Sequence, residues 1–137
     1  MASEEMVYAR VKRSGETSGM FTVAEQVVLR LRADGTFTLL DASYHDDTWG
    51  LREESSDTWS GVYVEEDGAV VCRATSKRTY SRSRDRDWGK DDVEKNVRQV
   101  SDVFTFARED ARGLTCPLER FEGLTLSQDQ EPHPGAF

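Results

Sequence analysis

Arg78, Tyr80, Arg82 and Arg84 stand at alternate positions in the run Arg78-Thr79-Tyr80-Ser81-Arg82-Ser83-Arg84. On an extended strand, residues two apart share a face, so three guanidinium forks and one aromatic ring would point the same way. Guanidinium groups bind oxyanions bidentately and stack on planar rings, which suits a carboxylate, a phosphate or an acidic protein segment. The competing readings are a solvated edge strand guarded by its charges, or a stripe neutralised across the sheet by Asp46-Asp47, Glu53-Glu54 and Glu65-Glu66-Asp67. Trp59 and Tyr63, together with Trp49, Trp88 and Tyr44, are the aromatic candidates for lining a cavity around a planar ligand; the plainer role is to fill a core. His45 is the weak catalytic candidate. In Tyr44-His45-Asp46-Asp47 a histidine meets carboxylates, and such a set can act as a general base or hold a divalent ion. Sequence neighbours rarely converge on one point, so a polar hairpin loop is the expected role.

Other patterns exclude more than they suggest. Asp85 to Asp92 has the acidic spacing of a calcium loop, but Lys90 and Asn96 stand where such a loop needs Gly and Glu. Cys72 and Cys116 have no CxxC partner and no histidine at metal spacing, and Cys72 reads as a small core residue. No nucleophile elbow, phosphate loop or dinucleotide glycine pattern is present. No metal site and no cofactor are therefore expected, and the chain leans away from an enzyme.

Charge and size set the outer limits. The 137 residues bear a net charge of −8, with 36% hydrophobic and 32% charged residues, enough for one domain with a thin core. Within 73–86, six cations (Arg73, Lys77, Arg78, Arg82, Arg84, Arg86) face the single acid Asp85, a local +5, so the remainder carries −13. Net negative charge argues against general nucleic-acid binding and against anionic membranes. No apolar run is long enough to insert in a bilayer, and the acidic start Met1-Ala2-Ser3-Glu4-Glu5 does not look like a leader, so a cytoplasmic location is expected.

The elements that must position these residues are strands. Val27, Leu29 and Leu31 alternate with Arg30 and Arg32, and Phe37 and Leu39 alternate with Thr36 and Thr38. Asp34-Gly35 between the two runs predicts a hairpin whose turn residues both take positive φ. A second hairpin is expected from Trp59–Val64 and Ala69–Thr75 across Glu65-Glu66-Asp67-Gly68, the return strand running on to Arg84. Gly61 marks a bend or a close crossing. Asp85–Asp92 is expected to turn, and 96–108 to form a long strand, although Val93, Val97 and Val100 also fit a helix over 91–102. Met6–Val11 would open the sheet before a turn at Ser14-Gly15, and Leu118–Leu126 would close it. These elements predict an all-β, single-domain antiparallel meander over 1–126, closing into a small barrel or strongly curved sheet, with 127–137 as a disordered or partner-docked tail.

The run Leu31-Arg32-Ala33-Asp34-Gly35-Thr36-Phe37-Thr38, followed by Trp59-Ser60-Gly61-Val62-Tyr63 and Asp67-Gly68-Ala69-Val70, resembles lipocalin-like (calycin) barrels. The resemblance implies an up-and-down barrel with a mouth at one end and a binding role. The leading expectation is thus a non-catalytic protein holding a small organic ligand, anionic if it meets the arginines. An accessory subunit docking on an acidic partner through 73–86, and a small barrel isomerase or cyclase using His45, are the alternatives.

Overall fold

The computed structural model describes residues 5–14, 21–47 and 50–132. The turn expected at Gly15, Trp49, and the tail residues 133–137 with His133 lie outside the described residues. Eight strands follow in order: β1 (Glu5–Ser14), β2 (Phe21–Arg32), β3 (Thr36–Asp47), β4 (Leu51–Glu66), β5 (Ala69–Asp85), β6 (Lys90–Asp110), β7 (Gly113–Thr115) and β8 (Thr125–Ser127). Each pairs antiparallel with its sequence neighbour, and β8 returns to β1 at Ala9↔Ser127 to close a ring. Among the described residues the one helical turn is a 3-10 segment, Glu119–Phe121, and no helix is long and apolar enough to cross a membrane.

The helical alternative over 91–102 is overturned. Lys90 to Gln99 pair residue by residue with Asp85 to Ser76, and a strand places Val93 and Val97 on one face with Val100 on the other. The sheet also runs past the boundary expected at 126. Ser127 belongs to β8, and beyond it Arg112 Nε donates to Asp129 Oδ1 at 2.7 Å while Val11 N–H donates to Gln130 Oε1 at 2.5 Å.

The two Asp-Gly turns differ. At Asp67-Gly68 both residues have positive φ, 51° and 75°, which is the mirror turn that suits a two-residue hairpin. At the first hairpin the expectation of two positive φ values is corrected. Three residues intervene, Gly35 N–H donates to Arg32 O at 3.0 Å, and Gly35 alone is left-handed at φ 88°. Asp34 instead accepts from Thr36 N–H (2.9 Å) and Thr36 Oγ1 (2.6 Å), which holds its carboxyl below the ordinary value.

Inside the ring, Tyr8, Leu29, Leu31, Phe37, Leu39, Val70, Cys72, Ala74 and Phe106 are buried, and β7, the 3-10 turn and β8 add Leu114, Cys116, Phe121 and Leu126. Burial pushes the Cys72 thiol up to about 12, so it stays protonated. Trp59 packs edge-on against Phe104 at 5.2 Å between ring centroids, and its indole N–H donates to Asp102 at 3.2 Å.

One irregularity redirects the second half of β5. Gly61 pairs with Ala74, but the next pair is Ser60 with Ser76, so Thr75 is an extra residue. Below this bulge the even positions Val70, Cys72 and Ala74 face the core; above it the odd positions Lys77 and Thr79 lie on that face, opposite Trp59 and Asp57. The even positions Arg78, Tyr80, Arg82 and Arg84 therefore lie on the outer face. The crossing is close enough that a Cβ built on Gly61 collides with the carbonyl oxygen of Arg73. That is the close approach the sequence suggests at Gly61.

Gly61→Ala should lower the unfolding free energy by about 3 kcal/mol in urea titration, because backbone and not a flexible side chain must yield. Gly35→Ala has open space around its Cβ and should cost about 1 kcal/mol, from the left-handed conformation alone. Equal costs would contradict the close crossing.

Candidate functional site

The bulge separates two groups of candidate residues. Trp59 and Tyr63 lie on the inner face, where Trp59 is buried and Tyr63 packs against the core and donates its hydroxyl to Arg32 O at 2.9 Å. Desolvation, helped by Glu65, raises the Tyr63 phenol. Arg78, Tyr80, Arg82 and Arg84 share the outer face. Trp59 and Tyr63 thus do not share a pocket with the arginines.

The stripe itself divides. Arg82 donates twice to Asp91 on β6, Nε to Oδ1 at 2.9 Å and Nη2 to Oδ2 at 2.7 Å. The guanidinium holds the Asp91 carboxyl below its ordinary value. That pair therefore stabilises the β5–β6 hairpin fully above the unfolded carboxyl value, near 3.9, and the contribution is lost as pH falls through the lower folded value. Arg84 Nη2 lies 3.8 Å from Glu54 Oε1, and the Glu54 side chain is only 1% exposed with no hydrogen bond to either oxygen. Arg84 is thus the countercharge of a buried carboxylate. Arg78 is exposed and has no acidic partner among the described residues.

Arg78 and Tyr80 line an open groove of about 440 Å³ with residues from four neighbouring strands. β2 supplies Arg30 and Arg32 on one side. Thr38 and Leu40 of β3 and Ser56 and Thr58 of β4 form the floor, and Lys95 of β6 joins Arg78 and Tyr80 on the far side. Four cations and no acid line it. Glu5 at the rim bridges Arg30 (3.0 Å) and Arg32 (3.3 Å), and Arg32 also donates to Thr38 Oγ1 at 3.4 Å. Lys95 Nζ sits 6.0 Å from the Tyr80 ring, with no carboxylate partner among the described residues. Arg30, Arg32 and Lys95 escape a reading confined to one strand, because only the register of β2 against β3, β4 and β5 sets them beside Arg78.

His45 lies elsewhere, on the other face, opposite Val23 on β2 and Glu53 on β4. It borders an open cleft of about 550 Å³ lined from its own face by Glu25, Glu53, Asp92 and Glu94, with Glu54 and the single cation Arg82 reaching its lining from the outer-face positions. Among the described residues no group of three or more His, Cys, Asp or Glu side chains is placed to hold a metal ion. The two faces of the sheet therefore carry clefts of opposite sign.

Arg84→Met should destabilise the protein by about 2 kcal/mol, because it strands the Glu54 carboxylate without its countercharge. Arg78→Met should change stability by less than about 0.5 kcal/mol. Chemical denaturation of the two variants side by side checks this, and an equal loss would mean the arginines are not divided as described.

Comparison with protein-family models, with curated proteins and with solved structures finds nothing that matches this chain.

Proposed function

We propose that this protein is a non-catalytic binding protein whose ligand is a small organic anion seated in the groove of Arg30, Arg32, Arg78, Tyr80 and Lys95. The observation that carries the reading is the convergence of four cations, two without a carboxylate partner among the described residues, in a chain of net charge −8. Like charges crowded against one another raise the energy of the empty groove, and an oxyanion relieves it. Arginine forks can take a carboxylate or phosphate bidentately, the floor hydroxyls of Thr38, Ser56 and Thr58 can donate to it, and the Tyr80 ring offers a face for a planar body. The core side chains occupy the interior of the ring, so the open groove, rather than a barrel cavity, is the seat for a ligand of this kind.

Isothermal titration with inorganic phosphate, citrate and benzoate tests the reading, with amide chemical shifts to locate the site. At least one anion should bind, shift Arg30, Thr58 and Tyr80, and lose affinity about tenfold or more in Arg78→Glu and Lys95→Glu, the loss of one charge-assisted hydrogen bond. Binding should weaken as salt is raised. No binding by any of the three, or binding indifferent to both substitutions, would remove the proposal.

A further inference from the structure

β6 is hydrogen-bonded on one side only for most of its length. β5 takes one edge, and β7 reaches the other only at Ala107 to Asp110, so among the described residues nothing pairs with the second edge over 90–106. Residues 90 to 99 are all exposed, including Val93 and Val97, the latter 65% exposed. A long open edge of this kind templates another strand.

The charges on this edge indicate which strand. Lys90, Glu94, Arg98 and Asp102 lie on one face at intervals of four and alternate in sign. Lys90, Glu94 and Arg98 have no ion-pair partner among the described residues, and Arg98 is set opposite the like charge of Lys77. These four are antisymmetric about Asn96, each with its opposite the same number of residues away on the other side, while Asp92 on the same face has the uncharged Val100 at its mirrored position. Antisymmetry is what a strand needs to pair with its own copy about a two-fold axis, where the residue at +n meets the residue at −n.

We infer that the β6 edge pairs antiparallel with the β6 edge of a second copy of this chain, with the two-fold axis at Asn96. An axis normal to the sheet keeps each face continuous, so partners share parity and the axis falls on a residue. At Asn96, Lys90 meets Asp102 of the second copy and Glu94 meets Arg98, each pair formed twice, and no like charges are opposed. On the other face Val97 lies beside the Lys95 stem and Val93 beside Gln99. Moving the axis to Lys95 sets Lys95 against its own copy, and moving it to Val97 sets Asp92 against Asp102. Charges that merely guard an edge against self-pairing have no reason to be antisymmetric.

Sedimentation equilibrium of the full chain over micromolar to millimolar concentration tests this. The wild type should dimerise, Glu94→Arg and Arg98→Glu should each weaken the dimer at least tenfold, and the double swap should restore it. Restoration separates cross-copy pairing from damage to the fold. Asn96→Cys should form an intermolecular disulfide on mild oxidation, because either kind of antiparallel pair brings its Cα atoms within disulfide reach. Gln99→Cys, which meets Val93 in this register, should not cross-link to itself. A wild type that stays monomeric, singles as dimeric as the wild type, a double swap that fails to restore, or cross-linking through Gln99→Cys in preference to Asn96→Cys would each overturn the inference.

Discussion

A single backbone approach decides which residues of the second half of β5 face the core. The carbonyl of Arg73 lies over the bare Cα of Gly61, and the extra residue Thr75 beside it shifts β5 by one position against β4. Without that shift the alternation begun at Val70 and Cys72 would carry Arg78, Tyr80, Arg82 and Arg84 inward onto the face of the core. Arg78 and Tyr80 would then leave the outer groove that Arg30, Arg32 and Lys95 line. The bulge thus lets one strand serve first as core and then as surface, and it assigns the arginines to the outer face.

Once on that face, the arginines have different fates, which depend on their neighbours more than on their type. Arg82 meets Asp91 across the β5–β6 hairpin and Arg84 covers Glu54, so both are spent on structure. Arg78 meets Thr58 and Val97 and keeps its charge exposed. Glu25, Glu53, Asp92 and Glu94 lie on the opposite face with His45, whereas Glu5, Glu54 and Asp91 stay on the arginines' face as their partners. Gathering Arg30, Arg32, Arg78 and Lys95 from separate strands lets an acidic protein carry a basic groove, because exposed charges beyond a Debye length of about 8 Å are largely screened.

Much of the fold was legible in the sequence because it is local. Period-two alternation in Val27–Leu31, Thr36–Leu39 and Trp59–Val64 identifies strands, and the glycines at 35 and 68 end them. The long strand through Val103 to Phe106 is equally plain, since β-branched and aromatic residues crowd a pleated surface well. The bulge was hidden, because Ala74-Thr75-Ser76 are small residues whose polarity does not reveal a break in alternation. The site was harder to see for the same reason. Reading Trp59 and Tyr63 together with the arginines requires knowing the parity on either side of Thr75, and finding Arg30, Arg32 and Lys95 requires the register of strands up to 65 residues apart. Gly113–Thr115, three residues long, is too short to show any period at all.

The order of pairing in the ring also bears on how the chain assembles. β1 to β8 each bond to the next strand in sequence, so hairpins can form from neighbours and extend one another with short loops to close. The exception is Ala9 with Ser127, where nearly the whole chain must be gathered before two short strands can dock. That step buries Leu114, Cys116, Phe121 and Leu126 together. Ring closure is therefore the least local event in the topology, and the small C-terminal segment acts as the clasp that turns an open curved sheet into a cooperative unit.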